Sequence, residues 1–183
     1  MELSTERLRL IALDYLALKE FGADPDLLGD DRGLAPFQGL QVAIFGAMIE
    51  QAVRVKLIKM ESAPLIDHPW YTFWLIVVRE AQFGVGVIGF KRAPDVYGAV
   101  EMGYEIDPAW QRRGYMTEAV GAMVNWAFLD RRCQRVTAET RPENQPSIRV
   151  IEKNGLQLLG TRAGMLFWAL ERDDWERLPR RTG

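Results

Sequence analysis

The residues best suited to chemistry lie in one short segment, Ile106 to Glu118, whose sequence is IDPAWQRRGYMTE. A strand is predicted to end at Ile106, Pro108 interrupts it, and a helix is predicted to begin near Met116. Gly114, just before that helix, permits backbone torsions that other residues avoid and leaves room for a ligand. The first amides of a helix are unpaired and lie at the positive end of its dipole, so this turn suits a phosphate group.

Two cations stand beside this turn, because Gln111 is followed by Arg112 and Arg113. Their guanidinium groups would strengthen the attraction for an anion. A glycine between a strand and a helix is more often only a turn. Taken alone, the segment therefore leaves an ordinary turn and a phosphate site both open.

The composition excludes several classes of protein. A length of 183 residues predicts one domain, residues 1–183. One cysteine, Cys133, and one histidine, His68, allow no disulfide within the chain and no His-pair or multi-Cys metal site, so no metal is predicted. The 23 Lys and Arg residues against 25 Asp and Glu residues give a net charge of −2, which argues against nucleic acid as a partner.

The chain carries no sign of a membrane or export segment. Its longest apolar stretches, such as Phe73 to Val78, are far shorter than the roughly 20 residues that cross a bilayer. Met1 to Arg7 contains acidic residues and no apolar run, unlike a secretory signal. We therefore predict a cytoplasmic protein with no membrane partner.

Hydrophobic periodicity predicts strands alternating with helices. The predicted strands are Leu8–Ile11, Tyr71–Arg79, Val85–Phe90, Ala99–Ile106, Arg135–Thr140, Leu156–Arg162 and Met165–Arg172. The predicted helices run from about Asp14 to Phe21, within Leu40–Met60, from Met116 to about Leu129, and over a short segment after Asn144, with a loop at Asp24–Pro36. This order is typical of a three-layer mixed α/β or α+β domain.

Several motifs in a fixed order extend the argument beyond the turn. Residues 101–119 follow the order E-x-G-Y-x-I-x-P-x-x-Q-x-x-G-Y-x-T-E-A, and Asn144–Ser147 and Glu152–Leu156 read N-x-x-S and E-K-x-G-L. Together they resemble the GNAT superfamily of acyl-CoA-dependent N-acyltransferases. The opening TERLRL and the late WAL are similar to the branch of Rim-type ribosomal-protein N-acetyltransferases. Met116 and Leu156 depart from the family, which prefers Gly or Ala and Phe there.

The resemblance implies a fold and an acyl donor. The expected fold is a central, mostly antiparallel sheet, splayed between its fourth and fifth strands, with helices on both faces. The donor is acetyl-CoA, whose pantetheine arm would pair with the backbone of Tyr104, Glu105 and Ile106. The backbone amides from Gln111 through Arg112, Arg113, Gly114 and Tyr115 to Met116 would hold the pyrophosphate. Asn144 and Ser147 would contact the donor from the far side.

The resemblance also implies direct attack by a primary amine in a ternary complex, which requires a group that accepts the amine's proton. Glu101 is the first candidate, because it shares a strand face with Gly103 and Glu105 and its position resembles that of the glutamate base in several members of the family. An ordinary surface ion pair is the alternative, and Glu105 is a weaker candidate for the base. The leaving thiolate is often protonated by a tyrosine in this family, but Ile151 stands at that position. Ser147 is the replacement considered, with support of the helix start as the alternative.

Other reactive or aromatic residues receive structural interpretations. His68 is predicted to lie in an exposed loop, and Tyr104 and Tyr115 are predicted to pack. Trp70, Trp74, Trp110 and Trp168 are candidates for an acceptor pocket, although Trp74 and Trp168 lie in mid-strand and favour the core. Neighbouring arginines would favour a thiolate at Cys133, which we nevertheless interpret as structural.

The acceptor amine is left open between a protein N-terminus and a small molecule, and a homodimer is possible. Residues 1–106 carry 10 basic and 15 acidic groups, whereas residues 107–155 carry 8 basic and 6 acidic groups. That asymmetry agrees with an anionic donor in the second segment and an amine in the first. Two alternatives remain: a CoA-binding sensor or scaffold with little turnover, and, more weakly, a nucleotide-binding module.

Overall fold

The central element is an eight-stranded sheet in a computed structural model that describes residues 1–24 and 47–178. Its strands are β1 (Glu2–Ser4), β2 (Leu8–Ala12), β3 (Trp74–Val78), β4 (Phe83–Phe90), β5 (Ala99–Ile106), β6 (Arg135–Thr140), β7 (Gln157–Arg162) and β8 (Met165–Glu171). They lie in the order β1-β2-β3-β4-β5-β6-β8-β7. Only β5 and β6 are parallel. The predicted mostly antiparallel sheet is confirmed.

Helices cover both faces of this sheet. They are α1 (Tyr15–Ala23), α2 (Ala47–Ser62), α3 (His68–Tyr71), α4 (Tyr115–Leu129), α5 (Gln145–Lys153) and α6 (Arg172–Arg177). One buried cluster holds Val120 and Met123 of α4, and the other holds Phe21 of α1 and Val53 of α2. The three layers predicted from the sequence are therefore present.

Strand β3 lies between the two clusters, and this position explains why its residues are all apolar. Ile76 belongs to the α4 cluster, while Leu75 and Val77 belong to the cluster beneath α1 and α2. Successive side chains of a strand point to opposite faces, so a strand covered on both faces needs apolar residues throughout. All residues of Trp74–Val78 are buried, as the sequence predicted.

The structure differs from the sequence predictions at β1 and at the start of β3, and it does not describe part of the predicted segment 24–60. Strand β1 was not predicted. Because it comes first in the chain, the strands that were predicted as the fourth and fifth are numbered β5 and β6 here. The strand predicted from Tyr71 begins at Trp74, because the short helix α3 continues to Tyr71 and Pro69 lies in its first turn, where a proline costs no hydrogen bond. Most of the predicted loop at Asp24–Pro36 and the first part of the predicted Leu40–Met60 helix lie outside the described residues.

None of the helices in the described ranges is long and apolar enough to cross a membrane.

A lysine is buried beneath the sheet on α2. Nζ of Lys56 donates to the carbonyl oxygens of Thr72 and Phe90, at 3.1 and 2.8 Å, and lies 4.6 Å from the ring centroid of Phe73. Burial, together with the charge of Lys59, lowers the pKa of Lys56 from 10.5 to about 7. Folding therefore favours the neutral amine.

We expect this lysine to make stability depend on pH. Between pH 7 and 10.5 the unfolded chain binds a proton at Lys56 that the folded chain releases, so the free energy of unfolding rises with pH in that window. Relative to Lys56→Met, the natural protein should gain about 2 kcal/mol between pH 7 and 9. Denaturant titrations at both pH values measure this gain. Lys19→Met, at an exposed lysine of α1, should keep the natural pH slope, and an unchanged slope in Lys56→Met would contradict the assignment.

Candidate active site

The sheet opens between β5 and β6. These strands pair only through Ala99–Arg135, Val100–Val136 and Glu101–Thr137. Beyond Glu101, β5 remains paired with β4 as far as Ile106, and β6 remains paired with β8 as far as Thr140. The two strands therefore diverge, as predicted, and β5 presents a backbone edge from Met102 to Ile106 to which an extended ligand can add as a strand.

The turn after β5 places a helix start beside this opening. Gly114 is the N-cap of α4, with φ 82° and ψ −2°, in the left-handed region that favours glycine. The first backbone bond into the helix runs from the amide of Glu118 to the carbonyl of Gly114, at 3.1 Å. The preceding amides, those of Tyr115, Met116 and Thr117, have no acceptor within the helix. This end of α4 is suited to bind an anion.

The side chains of the turn point in different directions. Arg113 donates to the carbonyl of Ala109 at 3.2 Å and stacks 4.9 Å from the ring centroid of Trp110. Gln111 donates to the carbonyl of Ile106 at 3.4 Å, and Arg112 is exposed with φ 62°. Two of these side chains hold the turn's own backbone, which leaves the amides and the exposed guanidinium of Arg112 to bind an anion.

Met116 departs from the family pattern because its side chain belongs to the core. It is 6% exposed and lies in the α4 cluster. Tyr115 packs against that cluster, 6.1 Å from the ring of Trp110, as predicted. A large residue at position 116 therefore fills the interior and does not obstruct the turn.

Arg7 reaches the same turn from the N-terminal hairpin and was missed by the sequence analysis. Its Nε and Nη2 atoms lie 2.7 Å from Oε2 of Glu118, and Nη1 donates to the carbonyl of Arg113 at 2.9 Å. Desolvation opposes the ionisation of Glu118, but hydrogen bonds from Thr5 and Arg7 lower its pKa overall. The only sequence signal was the TERLRL segment, which indicated a family and not a contact.

A tyrosine and a serine meet across the opening. The hydroxyl of Tyr104, on β5, lies 2.7 Å from Oγ of Ser147, in the first turn of α5. Burial raises the pKa of Tyr104 to about 12, so its hydroxyl keeps its proton at neutral pH. Asn144 caps α5 by accepting from the amide of Ser147 at 3.2 Å. The cap is therefore Asn144, which leaves the Ser147 hydroxyl to bond Tyr104.

Two carboxylates lie on one face of β5. Val100 and Met102 point into the α4 cluster, so Glu101, Gly103 and Glu105 point to the face covered by α1 and α2. A Cβ built on Gly103 would meet no described atom within 4 Å, so the space between the two carboxylates is open in the described part of the chain. Desolvation raises the pKa of Glu105.

Glu101 is tied to the turn after β4. Its carboxylate forms an ion pair with Lys91, and its carbonyl accepts from the amide of Lys91 at 2.8 Å. Glu101 is also the last residue of β5 that pairs with β6. The carboxylate therefore lies where the two strands begin to diverge.

Most of the remaining candidate residues are buried or part-buried within the fold. Trp74 and Trp168 are buried as predicted, and Trp70 is buried with them. His68 lies in α3, part-buried, with Nε2 3.2 Å from the carbonyl of Ala63, and not in an exposed loop. Ile151 is fully buried and cannot reach a leaving group.

The surroundings of Cys133 contradict the expectation that neighbouring arginines favour its thiolate. The thiol is buried, and burial raises its pKa to about 11 in spite of the neighbouring arginines. The thiolate is therefore disfavoured, contrary to the effect expected from Arg131 and Arg132, and the structural interpretation of Cys133 stands. Among the residues that the structure describes, no three His, Cys, Asp or Glu side chains are grouped to hold a metal ion.

Comparison with protein families identifies a domain over most of the chain. The family described as the acetyltransferase (GNAT) domain matches residues 37–157. Among curated proteins, the uncharacterized N-acetyltransferase YjdG of Bacillus subtilis is 33% identical over 95 residues, which cover 52% of this chain and 56% of that protein. YnaD of the same organism is 37% identical over 85 residues, covering 46% and 49%. The chain spans about half the length of the curated relatives it matches.

Solved structures share the fold over nearly the whole chain. A ribosomal-protein-S5-alanine acetyltransferase from Vibrio fischeri has a TM-score of 0.67 at 16% identity, covering 96% of this chain and 98% of that one. RimL, a ribosomal L7/L12 alpha-N-protein acetyltransferase in complex with coenzyme A, has a TM-score of 0.66 at 17% identity, covering 95% and 99%. At these identities the similarity establishes the fold alone.

Proposed function

The chain belongs to the GNAT family of acetyltransferases, and we propose that it transfers an acetyl group from acetyl-CoA to a primary amine in a ternary complex. The observation that carries this proposal is the start of α4, with Gly114 in a left-handed conformation, beside the opening between β5 and β6. An anion fits the helix start, and an extended arm fits the free edge of β5. Acetyl-CoA has both parts.

The proposed role of each group follows from where its backbone or side chain lies. The amides from Gln111 to Met116 bind the pyrophosphate, and the backbone of Tyr104, Glu105 and Ile106 pairs with the pantetheine arm. Asn144 and Ser147 border the donor on the α5 side.

The reaction exchanges one bond for another and moves protons. A C–N bond forms between the amine and the acetyl carbon, and the C–S bond of the thioester breaks with its electron pair going to sulfur. Glu101 accepts the proton that the amine loses, and the hydroxyls of Tyr104 and Ser147 supply a proton to the sulfur. Tyr104 suits the second role by its position, because its hydroxyl lies 2.7 Å from Oγ of Ser147 at the opening between β5 and β6.

Two measurements test the proposal. Calorimetry should detect CoA binding, and thiol release from acetyl-CoA should accelerate when amines from a library are added. No binding at millimolar CoA would refute it. Tight CoA binding with no thiol release across a broad amine and peptide panel would instead favour a sensor or scaffold.

Removing the tyrosine hydroxyl should slow the reaction without affecting donor binding. We expect Tyr104→Phe to lower kcat by at least about tenfold, less than the roughly 10²–10⁴ that a single proton-transfer group contributes, because the Ser147 hydroxyl remains. The KM for acetyl-CoA should change little, because the proposed donor contacts on β5 are backbone groups. Ser147→Ala should have a smaller effect, since the Tyr104 hydroxyl remains.

Steady-state kinetics at saturating acetyl-CoA measure these effects. Tyr97→Phe is the matched control, because Tyr97 is 85% exposed in the turn before β5 and its change should leave kcat unaltered. A kcat for Tyr104→Phe equal to that of the control would remove the hydroxyl from the mechanism.

A further inference from the structure

A cavity of about 530 Å³ lies at the C-terminal end of α2. Its wall is formed by Lys59 and Ser62 of that helix, by Tyr71 of α3, and by Lys91 and Arg92 in the turn after β4. That volume is in the range of sites for small organic molecules. The cavity has no part in the donor site, which lies along β5 and at the start of α4.

The wall of this cavity carries an excess of positive charge. Three of its side chains are cations, and none of the residues that line it within the described ranges, 1–24 and 47–178, is acidic. Lys91 is paired with Glu101, but Nζ of Lys59 donates to a neutral group, the carbonyl of Lys91, at 2.9 Å. Arg92 is exposed. Residues 1–106 carry a net negative charge, yet the cavity wall that some of them form carries the three cations.

The cavity is joined directly to the proposed base. Lys91 contributes to the cavity wall and forms the ion pair with Glu101. Glu101 points to the face of the sheet that α2 covers, and the cavity lies at the end of α2 on that face. An amine beside Glu101 can therefore extend its other end toward Lys59 and Arg92.

We infer that the acceptor is a small amine that also carries an anionic group, a carboxylate or a phosphate. Lys59 and Arg92 bind the anionic end, and the amino group lies at Glu101. This inference rests on the proposed function, since it concerns the second substrate of the same reaction. Lys91, which lines the cavity and pairs with Glu101, lies between the proposed anion site and the proposed base.

A series of acceptors with the same four-carbon chain tests the charge preference. The series is 4-aminobutyrate, butylamine and putrescine, which present an anionic, a neutral and a cationic end. We expect kcat/KM to be at least about tenfold higher for 4-aminobutyrate than for either of the others, the size of one charge-assisted hydrogen bond. O-phosphoethanolamine against ethanolamine distinguishes phosphate from carboxylate as the preferred anion. Equal values across the series, or a preference for putrescine, would overturn the inference.

Charge-neutralising variants locate the preference in the cavity. Lys59→Gln and Arg92→Gln should each reduce the ratio of kcat/KM for 4-aminobutyrate to that for butylamine by about fivefold to tenfold. Arg54→Gln, at an exposed arginine of the same helix, should leave the ratio unchanged. Equal ratios in all three variants would place the anion elsewhere and contradict the inference.

Binding measurements separate this inference from the proposed function. Calorimetry with 4-aminobutyrate and with butylamine, in the presence of CoA, reports acceptor binding without turnover. If CoA itself does not bind, the proposed function fails. If CoA binds and butylamine is acetylated but 4-aminobutyrate binds no better than butylamine, only the inference about the anionic group fails.

Discussion

Gly114→Val is expected to weaken CoA binding by at least about a hundredfold. A valine at φ 82° is strained, because β-branched residues rarely adopt the left-handed conformation, at a cost of about 1–3 kcal/mol. A Cβ at this position would also lie 3.3 Å from Nη2 of Arg7, and the further methyl groups would need the space of that guanidinium. Because the turn would have to move, its amides would no longer converge on one anion.

Calorimetry with CoA measures this loss, and thermal melting shows whether the variant folds. Gly164→Val is the matched control. Gly164 has φ 78° in the turn between β7 and β8, and a Cβ there would meet no described atom within 4 Å. The control should show comparable strain and natural CoA affinity. If a folded Gly114→Val bound CoA as tightly as the control, the pyrophosphate would not lie at this helix start.

Glu101→Gln is expected to reduce kcat by at least about a hundredfold and to change CoA affinity less than twofold. The amide has the shape of the carboxylate but cannot accept the amine's proton, and a positioned base contributes roughly 10²–10⁴ to a rate. CoA affinity should persist because the proposed donor contacts are backbone groups of other residues. Single-turnover acetyl transfer and calorimetry on the same preparation measure the two quantities.

Glu105→Gln is the comparison that makes this result specific. Glu105 lies on the same face of β5, and desolvation raises its pKa. If Glu105 were the base, Glu105→Gln would lose the activity, and the acid limb of the natural rate profile would lie above the range of an ordinary carboxyl group. We expect instead a modest effect in Glu105→Gln. An unchanged rate in Glu101→Gln would remove Glu101 from the role.

The sequence predicted those parts of the fold whose signals are local. Strand β5 has the predicted bounds, Ala99 to Ile106, because its alternating pattern is closed by turn residues at both ends. The start of α4 was predicted within one residue from Gly114 and the apolar spacing after it. Strand β1 was missed because three residues carry too little pattern, and its partner β2 supplies the pairing.

The contacts that complete the candidate site could not be predicted from the sequence, because they join segments that are distant in the chain. Arg7 and Glu118 meet only after β2 and α4 have packed on the same sheet. Tyr104 was predicted to pack, and its bond to Ser147 depends on where α5 lies across the opening. The basic cavity likewise requires Lys59 and Lys91 to come together from a helix and a turn.

Arg7 also links the proposed binding of the donor thermodynamically to the order of the N-terminal hairpin. Its guanidinium holds the carbonyl of Arg113, and the turn that carries it is closed by the bond from the amide of Thr5 to the carbonyl of Leu8, at 2.9 Å. An anion that fixes the α4 turn therefore also fixes this hairpin. By reciprocity, whatever loosens the hairpin is expected to lower the affinity for the proposed donor by the same factor, so amide hydrogen exchange at Thr5 to Leu8 should report occupancy of the turn that begins at Gln111, more than a hundred residues later.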